Sequence, residues 1–337
     1  MKPQNFRDLM RMVHGFEAAK IFLVANDLEL FRRLGSKRCA AELAAELGIN
    51  ARALELLLNA LTALGLVEKS GDGYHNAPVA DLYLGATSYR GHIFRHIHHC
   101  WESWNDLAGV VRRGGPDLVR ESVILHDQEE WNRDFIRGMD DVTRELAPQV
   151  VAQLDVGAAR RLLDIGGGPG TYARAFLQTH PQLQQVTIFD LPFALAVATE
   201  RLAGFERRDA VQLVAGDFHH DALGSGFDAI WISQVLHSQD EAGCRRLIGK
   251  AIQALNPGGR LFIHEFLLDD SRTQPLTAAL FAVHMLVMTA AGRTYSGPEV
   301  AGWLREQGLV DIEVRQVSDD TGVVQGCKAG LGLDTFA

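Results

Sequence analysis

The sequence predicts an α/β protein: a Rossmann-like, doubly wound, seven-stranded sheet with an antiparallel edge strand, preceded by a mostly helical unit in winged-helix order. Three observations carry this. Apolar, β-rich runs alternate with helical segments after about residue 160, a glycine-rich turn follows the first of those runs, and three helical patterns precede a hairpin pattern early in the chain. The texture changes between residues 145 and 160. The expected organisation is a winged-helix-like dimerisation unit over 1–90, a helical linker and substrate-lining region over 91–150, and a ligand-binding sheet over 151–337.

In the first unit, FEAAKIFLVANDLELFRRLG reads as a long amphipathic helix, CAAELAAELGI as a short one and NARALELLLNALTALG as a third, with Asn50 as N-cap and Gly65 as stop. LVEKSGDGYHNA reads as a hairpin turning at Gly71, Asp72 and Gly73. A winged helix raises DNA binding, but the third helix offers no reading face. Leu54, Leu57, Leu58, Leu61 and Leu64 make a wide apolar stripe, and the polar stripe of Arg52, Glu55, Asn59 and Thr62 carries one cation. Residues 1–85 hold ten Lys plus Arg against ten Asp plus Glu, where a DNA-binding module is normally basic. The excess of apolar helix points instead to dimerisation.

Composition narrows the partners. At 337 residues with 47% apolar content the chain can build two cores, and a formal charge of −9 argues against nucleic acid or an anionic membrane as the main partner. Small molecules are the expected ligands. Early charges from Arg7 to Glu17, and the lack of any apolar run long enough to span a membrane, predict a cytoplasmic protein. Cys39, Cys100, Cys244 and Cys327 have no paired spacing and read as reduced thiols. His92, His96 and His99 share a helical face but lack a completing acidic or cysteine pattern, so no metal site is expected. Trp131, Phe135 and Met139 recur at i, i+4, i+8, a stripe that either packs in a core or lines a substrate pocket.

From ARRLLDIG onward the strands are QQVTIFD, AVQLVAGD, FDAIWIS and GGRLFIHEFLL, separated by helices of the length a right-handed parallel crossover needs. VDIEVRQV and TGVVQGCKAGL close the chain as two near strands, the antiparallel element. The sharpest motif is DIGGGPGTYA, with Asp164 at a strand end and Gly166, Gly168 and Gly170 in a turn where backbone approaches a ligand. The spacing is G-x-G-x-G; a dinucleotide fingerprint would need glycine where Thr171 stands. Asp190 in FDLP closes the second strand, where it can accept ribose hydroxyls. Asp217 in AGDF closes the third, where it can accept an adenine amino group, with Phe218 against the ring.

DIGGGPG, FDLP and GDF in this order resemble the class I S-adenosylmethionine-dependent methyltransferases. With the winged-helix-like unit in front, the chain is similar to the small-molecule O-methyltransferases of the caffeic acid, hydroxyindole and bacterial tailoring type, over about residues 15 to 325. The resemblance implies a homodimer formed through the N-terminal unit, S-adenosylmethionine as cofactor and a small hydroxylated aromatic or polyketide-like acceptor. It also implies cofactor contacts from Asp164, Gly166, Gly168, Gly170, Asp190, Leu191, Asp217, Phe218 and Ser233, the last standing where plant relatives have lysine.

His237, after the FDAIWIS strand, falls at the family's general-base position and Glu265 at a glutamate that flanks it; these are the catalytic candidates. Trp131, Phe135, Met139, His284 and Met288 are the substrate candidates. Two departures stand out. Ser238 follows His237 where many relatives have aspartate, and Thr294 replaces a second flanking glutamate, so a weaker base than in plant relatives is expected. These departures keep carbon or nitrogen methylation, or a non-catalytic cofactor-binding regulator, as alternatives. A His237–His284 metal pair, as in a few carbon-methylating relatives, is the minor reading beside no metal.

Overall fold

A computed structural model describes residues 2–117 and 129–330. Residues 118–128, inside the expected linker, and 331–337, at the end of the expected last domain, lie outside the described residues. The chain divides into two compact units, Met1–His99 and Cys100–Ala337.

The first unit opens with a helix, Phe6–Asp27, capped by the Asn5 side chain accepting from the Asp8 N–H. The single long helix expected here is broken: Glu29 takes a left-handed φ of 54° and a second short helix, Leu30–Arg33, follows. The break turns Leu30, Phe31 and Leu34 into the core, which a straight continuation would not do. Next come β1 (Arg38–Cys39), a helix Ala40–Leu47 ended by left-handed Gly48, and a helix Ala51–Ala63 capped by Asn50 as expected. β2 (Val67–Ser70) and β3 (Gly73–Asn76) form the hairpin, and β1 pairs with β3 to give the order β1-β3-β2. Leu54, Leu58 and Leu61 are buried, whereas Leu64, expected on the same face, is the cap residue beyond the last turn and lies exposed. On the first helix Phe6, Leu9, Val13 and Phe16 are exposed at helical spacing. The helix His92–Asn105 carries the histidine run; His98 is bonded to Asp27 and Lys20, and among the described residues no cluster could hold a metal.

In the second unit, β4 (Arg161–Ile165), β5 (Gln185–Asp190), β6 (Val211–Ala215), β7 (Phe227–Ser233) and β8 (Leu255–Glu265) are all parallel. A two-stranded pair, β9 (Leu267–Leu268) with β10 (Tyr295–Ser296), follows. The chain closes with β11 (Leu309–Gln316) and β12 (Gly322–Lys328), and the large sheet has the order β11-β12-β8-β7-β4-β5-β6. The closing pair is the expected antiparallel element: β12 runs against both β8 and β11, so β11, outermost, points the same way as the parallel strands.

Alternate side chains feed two cores. Leu162, Ala229, Trp231, Phe262 and Val323 point to one face, beneath the helices Thr171–Thr179 and Pro192–Leu202. Leu163, Ile230, Ile232, Ile263 and Val324 point to the other, beneath the helices Glu241–Ala254 and Gly297–Glu306. With both faces covered, a polar group can reach a ligand only past the strand ends, and the carboxyl ends carry Asp164, Asp190, Ser233 and Glu265. Among the described residues no helix is long and apolar enough to cross a membrane.

Candidate active site

The glycine turn begins where β4 ends. Gly166, Gly168 and Gly170 have φ of 69°, 51° and 78°, a region that side-chain-bearing residues avoid. Their surroundings separate their roles. A Cβ at Gly168 would meet open space, one at Gly166 would strike Val235, and one at Gly170 would press on Ile188 and Leu202. Gly168 is therefore the open edge of the turn, while Gly170 lets the helix Thr171–Thr179 pack tightly against the sheet. Gly167, which the motif reading passed over, leaves room for the Asp164 carboxyl, 2.7 Å from where its Cβ would be.

Asp164 is 1% exposed, and its Oδ2 has no hydrogen-bond partner among the described residues. Burial, aided by the charge of Asp190, pushes its pKa up to about 8. Asp190 is also raised by burial, although its carboxylate accepts the Gly168 N–H (2.8 Å) and the Leu191 N–H (2.7 Å), which pull the other way. These bonds fix Asp190 on the outside of the glycine turn with one N–H on each oxygen and lone pairs to spare. Leu191, exposed, caps the helix Pro192–Leu202. Asp217 lies in the loop after β6, its Oδ1 accepting the His219 N–H (2.8 Å), and Phe218 packs on the lower core with its ring 4.5 Å from that of His219.

A tie over the turn was invisible in the sequence. Asp140, on the helix Glu129–Thr143, accepts from the Thr171 hydroxyl (2.7 Å) and from Arg144 (2.6 Å). Burial opposes its ionisation, but these bonds and the charges of Arg144 and Arg201 outweigh that and hold its pKa below the usual value. The stripe on the same helix is at least partly a packing surface: Trp131 stacks on Phe135 at 6.1 Å, Phe135 packs with Ile136, Ala194 and Val197, and Met139 is half-buried.

Ser233 ends β7 beside His264 on β8. Its hydroxyl is 2.8 Å from His264 Nδ1, and His264 Nε2 is 2.8 Å from the Thr321 hydroxyl. His264 is 1% exposed, stacked on Trp231, and pushed down by burial to a pKa of about 4. The Ser233 hydroxyl is thus committed inward to this neutral imidazole.

The next turn carries the base candidate. Gln234 is left-handed (φ 57°), its N–H bonded to the His264 carbonyl, and the 3-10 turn Leu236–Ser238 follows. Glu265, 3% exposed, accepts the Leu236 N–H on Oε1 and lies 2.8 Å from His237 Nδ1 through Oε2. A carboxylate only accepts, so Nδ1 carries a proton, and in the neutral ring the lone pair is then on Nε2. The two departures now have a physical account. Ser238 turns its hydroxyl onto the Val235 carbonyl (2.8 Å), and buried Thr294 turns its own onto the Ala278 carbonyl (3.2 Å). Neither leaves a stray polar group, and among the described residues Glu265 is the carboxylate bonded to the ring.

One wall beside His237 is the helix Leu276–Met288. Phe281 meets the His237 ring edge-on at 4.9 Å and touches Phe266 and His284. The Trp104 indole N–H donates to His284 Nδ1 (3.0 Å), with the two rings near-coplanar, 17° between their planes. Burial, with the nearby His237, lowers the His284 pKa. Met288, the last residue of this helix, is half-buried. Among the described residues nothing completes a metal site around the His237–His284 pair.

Comparison with known proteins follows this geometry. Residues 104–310 match the O-methyltransferase domain family, and residues 10–86 match the O-methyltransferase dimerisation domain family. A 3-hydroxy-5-methyl-1-naphthoate 3-O-methyltransferase of Streptomyces sahachiroi is 37% identical over 297 residues, 86% of each chain. An O-methyltransferase family protein of Burkholderia thailandensis has a solved structure with a TM-score of 0.86 at 30% identity, over 98% of this chain and 99% of that one. PigF, solved with SAH (S-adenosylhomocysteine), gives 0.87 at 26% identity over 96% and 100%.

The Asp164 carboxyl gives a test of this site. With its pKa raised from 3.8 to about 8, the ligand-free fold prefers the protonated form, so this group's contribution to stability is present below the ordinary carboxyl range and is lost as pH rises through about 8. The melting temperature of the protein is expected to fall between about pH 4 and 8 through this group, and Asp164→Asn to flatten that slope; equal slopes in thermal scans would refute the assignment.

Proposed function

The chain belongs to the O-methyltransferase family, and from its site we propose that His237 takes the proton from an acceptor hydroxyl while Glu265 positions the imidazole. The protein is an S-adenosylmethionine-dependent O-methyltransferase, which disfavours the carbon- and nitrogen-transfer and regulator alternatives. The observation that carries the proton-transfer reading is the 2.8 Å contact from Glu265 to His237 Nδ1, which leaves Nε2 as the basic nitrogen.

The residues at the strand ends fit the donor. Buried Asp164 Oδ2 has no partner among the described residues, a neighbouring glycine turn is open at Gly168, and Asp190 is fixed with spare lone pairs. Asp190 would take the ribose hydroxyls, Asp217 with Phe218 the adenine, and Asp164 with Gly166 and Gly168 the methionine end. When bound, S-adenosylmethionine supplies a methyl group already activated by the sulfonium. The protein's remaining tasks are alignment of the acceptor oxygen and removal of its proton. Gly170 and Ser233 act behind this surface, the first through close packing and the second through His264.

We assign the acceptor to the small hydroxylated aromatics, in line with the naphthoate enzyme that resembles this chain. The exposed Phe6, Leu9, Val13 and Phe16 stripe, within or beside the matched dimerisation segment, supports a homodimer through the N-terminal unit. A dimer mass by light scattering at micromolar concentration is expected; a monomer would contradict it.

With labelled S-adenosylmethionine and an unactivated phenolic acceptor, His237→Ala is expected to lower kcat by about a hundredfold or more. Glu265→Gln is expected to cost about tenfold or more through loss of ring orientation. Near wild-type rates for His237→Ala would remove it from the chemistry. Asp190→Ala should weaken S-adenosylhomocysteine binding by about 1 to 3 kcal/mol in calorimetry, through loss of a charged acceptor; unchanged affinity would overturn the ribose assignment.

A further inference from the structure

The second imidazole beside His237 has its protonation state set by its neighbour. An indole nitrogen can only donate, so the 3.0 Å contact from Trp104 Nε1 requires a lone pair on His284 Nδ1. The ring is therefore neutral with its proton on Nε2. Burial and the adjacent His237 both work against a second proton, in agreement with this tautomer. The two rings are bonded edge to edge with their planes 17° apart, so the direction of the imidazole N–H is held by this bond.

His237 has the opposite arrangement. Its Nδ1–H is spent on Glu265, so in the neutral ring it is Nε2 that offers a lone pair. Phe281 touches both rings, edge-on to His237 at 4.9 Å and tilted against His284 at 5.5 Å. The site thus holds an acceptor nitrogen and a donor nitrogen on two rings that share one aromatic spacer. An apolar wall with one acceptor and one donor suits an aromatic ligand with a hydroxyl and a second oxygen that accepts.

We propose that His284, locked by Trp104 as the Nε2–H tautomer, is a specificity residue that donates to a carbonyl or carboxylate oxygen near the reacting hydroxyl of the acceptor. The preferred substrate class is then the hydroxyaryl ketones, quinones and hydroxyaryl carboxylates rather than simple phenols. This rests on the O-methyltransferase reading above. A polar group built to bond a substrate oxygen and left unpaired by an analogue discriminates strongly between the two.

The test compares two acceptors, 1-hydroxy-2-naphthoate and 1-naphthol, with wild-type protein, His284→Phe and Trp104→Phe. Wild type is expected to favour the carboxylate by about tenfold or more in kcat/KM. His284→Phe is expected to abolish that preference, lowering kcat/KM for the carboxylate by about tenfold or more beyond any change on 1-naphthol. Trp104→Phe is expected to reduce it, with the His284 nitrogen-15 shifts moving away from a single Nε2–H tautomer. Methylation of neither acceptor by wild type would count against the O-methyltransferase reading for this class. Equal use of both by wild type, an unchanged preference in His284→Phe, or equal losses on both acceptors would overturn the specificity role.

Discussion

A carboxylate removed from water at the end of a strand must be met by donors, and Glu265 meets this requirement with two groups from one neighbouring turn. The Leu236 N–H and the His237 imidazole both converge on it. Because β7 and β8 are adjacent and parallel, with Ser233 opposite His264, the turn leaving β7 has to pass beside the end of β8. That register puts residue 237 within reach of residue 265. A one-residue slip would aim Glu265 into a face of the sheet, where a charge has no partner. The site's geometry and the sheet's register are consequently one constraint.

The same logic extends along the sheet edge. Asp164 and Asp190 close adjacent strands, and both are raised by burial, yet they are satisfied unequally. Asp190 is held by the Gly168 and Leu191 N–H groups, whereas Asp164 Oδ2 has no partner among the described residues. A buried acceptor without a donor is costly in an isolated fold and useful in one that receives a polar ligand. Asp140 secures the turn from outside by its bond to Thr171, so the first residue of the following helix is fixed from both sides.

Much of this was legible because strand ends and glycine turns leave local marks. The order of runs after residue 160 set the parallel sheet, and Asp164, Asp190, Asp217 and His237 are each the polar residue that follows an apolar run. What stayed hidden depends on distance in the chain. Nothing in the sequence says that Trp104 donates to His284, 180 residues on, or that Ser233 turns inward to His264. The three motif glycines also look alike in sequence. Only their neighbours separate the open Gly168 from the packed Gly170. The break at Glu29 escaped for a related reason: its apolar periodicity continues through the break, and the pull of Leu30 and Phe31 into a core formed with residues further on decides where the helix stops.

Three imidazoles of the same unit show how surroundings, rather than residue type, assign roles. His264 has hydroxyls at both nitrogens and Trp231 on its face; pushed down by burial to a pKa of about 4, it is neutral and has nothing left to offer a ligand. His237 has a carboxylate at Nδ1, which stabilises the imidazolium that forms when Nε2 takes a proton. His284 has an indole donor at Nδ1, which opposes that same protonation and leaves an N–H at Nε2. Exchange of the two Nδ1 partners would exchange the two functions. The lone lysine-like or histidine-like signal in a motif is therefore weaker than the identity of the group on its far side, and here Glu265 and Trp104 are those groups.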